Sequence, residues 1–123
     1  MDLTTEAIRL GMNMAQVRAE VAGANIANVD TAGYRAQRVD FGEAMGLLRE
    51  ASVDPGMQGD RLAQVSQATL RDSVHTADIG AEASANLDGE VAELESAGAS
   101  FQALTTIMSR RFALMQLAMA GRN

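Results

Sequence analysis

The sequence contains no cysteine. That excludes a disulfide framework, a thiolate zinc site and a cysteine nucleophile. It contains no tryptophan, one proline and only four aromatic residues, Tyr34, Phe41, Phe101 and Phe112, in 123 positions. There is no lysine: all ten cations are arginines, set against 16 acidic residues for a net charge of −6. An acidic chain of this kind is a poor candidate for coating nucleic acid. No stretch approaches the ~20 consecutive apolar residues of a transmembrane helix. Asp2 and Glu6 stand where a secretory signal would carry its basic and apolar regions, so no cleaved signal is expected. No nucleophile with base and oxyanion donors and no glycine-rich phosphate loop is present. The chain therefore reads as a non-enzyme with no catalytic residue, no metal site and no cofactor. The single histidine, His75, lies in a polar stretch without metal-ligand company and reads as a solvated side chain.

What the sequence does contain is alanine and methionine. Apolar residues make up 47% of the chain, and 23 alanines and 8 methionines carry much of that share. Alanine is the best helix former but removes little area from water when buried. The composition thus favours helices and a thin core in one domain-sized chain.

The helical signal is concentrated at both ends. Between Leu3 and Asn28 there is no proline, and Leu10, Met14, Val17, Val21 and Ala24 recur at alternating steps of four and three. That spacing places them on one helical face. Thr4 or Thr5 is the expected N-cap. At the other end Leu87, Val91, Leu94, Gly98, Phe101, Thr105, Met108, Phe112, Met115 and Met119 keep the same rhythm without a break. A seam of more than four heptads meets the length expected of a coiled-coil-like helix. A second apolar row, Leu104, Ile107, Leu114 and Leu117, runs beside it. Asn86 or Asp88 is the expected N-cap, and Gly121 the stop. The acidic residues Asp88, Glu90, Glu93 and Glu95 read as a solvated face matched to the positive end of the helix dipole. Arg110 and Arg111 read equally as an interface pair or as ordinary surface charge.

The middle is weakly patterned. Phe41, Met45 and Leu48 predict a short amphipathic turn or two. Ser52 to Asp60 reads as a loop, because it holds the one proline with two glycines and two aspartates. Residues 61–70 are ambiguous, and residues 71–85 read as a polar, acidic linker or mobile segment. The expected organisation is an N-terminal helix with its exit (1–33), a variable middle (34–85) and a C-terminal helix (86–123), an all-α chain with an irregular, partly extended centre.

The most specific string is Asn25-Ile26-Ala27-Asn28-Val29-Asp30-Thr31-Ala32-Gly33-Tyr34-Arg35. Physically it is a helix exit. Asn28 is suited to a left-handed closing residue, Asp30 and Thr31 to side-chain turns, and Gly33 to a positive φ. Tyr34 brings an apolar ring with a polar tip, and an extended run to Phe41 follows. The string resembles the N-terminal signature of the flagellar rod, hook and hook-associated protein family, N-x-A-N-x-x-T-x-G-Y-(K/R). Asn25, Ala27, Asn28, Thr31, Gly33, Tyr34 and Arg35 occupy its fixed positions; Ala32 stands where rod proteins usually carry proline. The run after it, with Arg35, Ala36, Asp40 and Phe41, and the C-terminal stretch, with Glu90, Phe101, Gln102, Ala103, Leu104 and Phe112, are similar to the family's proximal-rod members. Phe101 replaces the usual tyrosine and Asn86 the usual capping aspartate.

The resemblance implies a structural subunit of the bacterial flagellar basal body, with its terminal helices paired antiparallel in an axial tube. It implies export by the flagellum's own type III apparatus. Its implied partners are copies of itself, other rod subunits such as those of FlgC and FlgF type, a FliE-type adaptor, the MS-ring protein and the export gate. The motif residues Asn25, Ala27, Asn28, Asp30, Thr31, Gly33, Tyr34 and Arg35 would then form a junction that the assembly uses. Leu94, Phe101, Leu104, Met108, Phe112 and Met115 would form the assembly interface. One apolar row of the end helix is expected to pack on the N-terminal helix and the other on a neighbouring subunit, with folding coupled to assembly. The alternatives are a rod subunit of FlgC type and a small acidic helical export chaperone or adaptor.

Overall fold

The computed structural model describes residues 2–54, 56–77 and 83–121. Two long helices dominate it: α1 (Leu3–Ala27) and α5 (Leu87–Ala120). Between them come β1 (Gln37–Val39), α2 (Gly42–Val53), α3 (Gly59–Ala63), α4 (Gln67–Arg71) and β2 (Val74–Thr76). The two strands form a small antiparallel pair, Gln37 opposite Thr76 and Val39 opposite Val74.

α1 starts at Asp2, whose carboxylate accepts from the Thr5 backbone N–H at 2.8 Å. The cap is thus Asp2 rather than Thr4 or Thr5, and its charge also suits the positive end of the helix dipole. The face bearing Leu10, Met14, Val17 and Val21 is the buried one. It packs on the middle of the chain: Leu10, Met14 and Val17 meet Ala44, Met57, Leu62 and Leu70 in one cluster, with Val39, Phe41, Leu47, Leu48 and Val74 around it. The stretches read from composition as ambiguous or as linker therefore supply part of the core. α2 runs for three turns rather than one or two. Leu62 and Leu70 are each the single fully buried residue of a five-residue helix. Val74 and Thr76, within the expected linker, are paired in β2; the rest of that linker includes residues 78–82, outside the described residues.

α5 lies antiparallel on a second face of α1. Glu93 meets Arg18 at 2.6 Å, Leu104 lies over Gly11, and Arg111 reaches Thr5 at 3.1 Å and Asp2. This contact is built from small and polar residues. Ala97 is fully buried and Ala15 and Ala22 nearly so, and a Cβ added at Gly11 would come within 3.0 Å of Leu104 Cδ1. Ion pairs hold it at both ends: Arg18 with Glu93 and Arg38 with the buried Glu90 at one, Arg111 with Asp2 at the other. Asn86 caps α5 by accepting from Gly89 N–H, and Gly121 closes it.

α1 has 25 residues and α5 has 34. Because Arg111 is level with Asp2, the nine residues Phe112–Ala120 run past the start of α1, about 13 Å at 1.5 Å per residue.

Two predictions follow from this layout. Leu10→Ala should cost about 2–4 kcal/mol in urea denaturation, whereas Leu117→Ala should change stability by less than about 0.5 kcal/mol. The Thr5 amide and the Arg111 guanidinium hold the Asp2 carboxyl at about 2, down from its ordinary 3.8. A lowered pKa means that the Asp2 contribution is complete above about pH 4 and is lost as the pH falls towards 2. Asp2→Asn should flatten the stability profile over that interval, as read by chemical denaturation at stepped pH.

Candidate functional site

The exit motif is built around one side chain. Asn25, on the last turn of α1, is fully buried. Its Oδ1 accepts from the Gln37 backbone N–H at 2.9 Å and from the Tyr34 hydroxyl at 2.8 Å, while its Nδ2 donates to the Gln37 carbonyl at 3.0 Å. A carboxamide carries donor and acceptor as a peptide group does. Asn25 thus pairs with Gln37 as a neighbouring strand would, and ties β1 to the side of α1.

The rest of the motif makes the path from Asn25 back to Gln37 short enough. Asn28 closes the helix with φ −114°, not in the left-handed region; its side-chain Nδ2 donates to the Ala24 carbonyl at 2.9 Å. The amide satisfies a helix-end carbonyl directly, so no left-handed residue is needed there. Thr31 donates through its hydroxyl to Asn28 Oδ1 at 3.3 Å and through its backbone N–H to the Asn28 carbonyl. Gly33 takes φ +76°, a conformation that side-chain-bearing residues seldom adopt. The Tyr34 N–H then donates to Thr31 O at 3.1 Å, and the ring turns back to Asn25. Arg35 donates to the Ala77 carbonyl. Beside it Ala36 is fully buried, its N–H on Ala83 O and its carbonyl accepting from Ala77 N–H, each at 2.9 Å. Ala27, Asp30 and Ala32 are exposed on the outside of the turn.

The end helix presents a different kind of site. The line of α5 that faces α1 is Glu90, Glu93, Ala97, Ser100, Leu104, Met108 and Arg111, all buried or half-buried. The long apolar seam lies to one side of that line. Val91, Leu94, Phe101, Phe112, Met115 and Met119 are exposed, Phe101 at 36% and Met119 at 70%. Ile107, Leu114 and Leu117 of the second row are exposed as well. Of the six interface residues expected from sequence, Leu94, Phe101, Phe112 and Met115 are exposed, while Leu104 and Met108 are half-buried on the α1 side. Thr105, the hydroxyl on the seam, donates to the Phe101 carbonyl at 2.8 Å and so is satisfied within its own helix. Between α1 and α5, Ala15, Ala19, Ala97 and Gly98 floor a shallow groove of about 440 Å³, edged by Gln16, Phe101 and Gln102.

A second cleft, of about 380 Å³, separates β1 from the start of α5. Its arginines, Arg18 and Arg38, are already paired with Glu93 and Glu90, so it offers an anion no free charge. Among the described residues no group of acidic and histidine side chains is placed to hold a metal. No helix among them is long and apolar enough to cross a membrane. His75 is exposed on β2.

A compact body with an exposed apolar helix is the architecture of an assembling structural protein. Residues 9–35 match the family model of the flagella basal body rod protein. The matched segment spans the core-facing seam of α1 and the whole exit motif from Asn25 to Arg35. It supports a flagellar rod protein: a structural, non-enzymatic subunit of the basal body that assembles with other rod components. No curated protein and no solved structure matches the chain.

The motif geometry gives a graded expectation. Asn25→Ala strands both polar groups of Gln37 and the Tyr34 hydroxyl, and should cost about 2–3 kcal/mol in chemical denaturation. Tyr34→Phe removes one hydrogen bond and should cost about 1 kcal/mol.

Proposed function

We infer that the chain is a proximal rod subunit of the FlgB type, and that the exposed seam of α5 is the surface by which it joins the rod. The observation that carries this reading is the outward orientation of that seam. The longest apolar pattern in the sequence faces solvent, while small and polar residues make the contact with α1. A contiguous exposed apolar strip of this length marks a protein–protein contact. Leu94, Phe101, Phe112 and Met115 are its large side chains, and Leu104 and Met108 back them from the α1 side.

The resemblance of the segments beyond the family match, around Asp40 and Phe41 and from Glu90 to Phe112, supports the proximal position. By that resemblance the neighbours are other rod subunits, a FliE-type adaptor, the MS-ring protein and the export gate. The chain leaves through the flagellar type III apparatus without cleavage and contributes to the wall of the export channel. An export chaperone or adaptor has no use for the Asn25–Tyr34 turn, so the motif favours the rod reading.

Phe101→Asp and Phe112→Asp test it. Both positions are exposed, so helix content by circular dichroism should stay unchanged while motility in soft agar is abolished. The variants should still leave the cytoplasm but be missing from purified basal bodies. Normal swimming by both would remove α5 as the assembly surface.

A further inference from the structure

The same molecule carries a protruding apolar arm and, elsewhere, a shallow apolar groove. The arm is Phe112–Ala120, which runs past α1 with Phe112, Leu114, Met115, Leu117 and Met119 all exposed. The groove is the small-residue trough between α1 and α5, floored by Ala15, Ala19, Ala97 and Gly98. We propose that the α5 arm of one copy docks in the α1/α5 groove of a second copy, so that identical chains join head to tail. The proposal rests on the reading of α5 as an assembly surface and names what covers it.

Three observations select a second copy as the occupant. First, arm and groove are continuous. Gly98 and Phe101 at the groove and Phe112, Met115 and Met119 on the arm belong to one unbroken seam of one helix. A docked arm therefore extends a single apolar strip from copy to copy.

Second, the shapes are complementary in side-chain size. A floor of alanine and glycine lets a neighbouring helix approach closely, and a ridge of Phe, Met and Leu fills the trough. The groove has room for such a ridge, since a Cβ built at Gly98 meets no atom within 4 Å.

Third, the charges do not oppose the contact. Asp88 and Glu95 near the start of α5 and Arg110 at the root of the arm are exposed, and none has an ion pair among the described residues. Head-to-tail docking brings the basic root of one copy towards the acidic start of the next.

The arm lies beyond the end of α1 and the groove lies alongside it, so a chain cannot fill its own groove with its own rigid helix. The contact is also heterologous: the two surfaces differ, and each copy keeps one of each free. Contacts of that type propagate into open filaments or close into rings by rotation, whereas a self-complementary patch stops at a dimer.

The test uses the full-length chain in sedimentation velocity over a concentration series. Two classes of variant are compared, with helix content checked by circular dichroism. Gly98→Leu fills the groove and raises helix propensity; Gly98→Met is its substitute if solubility suffers. Met115→Asp places a charge on the arm, and Met119→Asp is its substitute. The wild-type chain should form species that lengthen with concentration. Each variant alone should associate at least about tenfold more weakly. An equimolar mixture of the groove variant and the arm variant should give one-to-one pairs that do not grow, because one intact arm meets one intact groove.

A mixture that fails to pair overturns the proposal. So does a wild-type chain that stays monomeric, which would give the arm to a different protein. If Gly98→Leu assembles like wild type while Met115→Asp does not, the groove is excluded as receptor and α5 stands as an assembly surface. If neither substitution matters, both readings fall.

Discussion

The fold turns on a carboxamide standing in for a strand. Asn25 offers Gln37 the donor and acceptor that a neighbouring peptide would offer, and it does so from a helix. This is how a chain with few β-forming residues fixes an extended segment at a defined angle to a helix. Everything after residue 37 inherits that angle. β1 sets the position of β2, and the connection around Ala36 holds Ala77 and Ala83. Arg38, just beyond Gln37, reaches Glu90 and so fixes the start of α5. A buried amide with all its bonds made is a precise spacer, because any displacement leaves several polar groups unpaired at once. Among the described residues no buried side-chain polar atom lacks a partner.

Both terminal helices were legible from the four-three spacing, and their N- and C-terminal limits lie within a residue or so of the expected ones. The capping asparagine and the closing glycine of α5 were also legible. The direction of each apolar face was not. Periodicity says which residues share a face, but nothing about what covers it. The seam of α1 meets the middle of the chain rather than α5, and the longer seam of α5 meets solvent. The middle itself was hidden for a different reason. Leu62 and Leu70 sit in helices of five residues, too short to show a period, and β2 has three residues. Their role comes from tertiary contact with α1, which local pattern does not encode. The motif was legible as a turn with Gly33 at its positive φ. The amide pairing of Asn25 was not, because its partner Gln37 lies outside the signature.

The alanine and methionine content has a local explanation in this arrangement. Alanine concentrates where α1 meets α5, at positions 15, 22 and 97, and there it allows the helices to approach closely. Three of the methionines lie on α5, at positions 108, 115 and 119. Flexible thioethers suit a surface that has to fit neighbours of different shape. The thin core inferred from composition is confined to the α5 side, since α1 and the middle segment share a cluster of ordinary density with Leu10, Leu62 and Leu70 fully buried.

The clasp between α1 and α5 combines arginine–carboxylate pairs at its ends with a smooth strip of small side chains between them. Ionic strength acts on such a joint and on the exposed seam in opposite senses. Dissolved salt screens the partly exposed pairs of Arg18, Arg38 and Arg111. Strongly hydrated anions such as sulfate drive apolar surfaces together. One solution variable thus loosens the helix from its own body while making its outer surface stick more firmly to another. The ionic medium around the chain therefore becomes part of the balance between folding on itself and joining its neighbours.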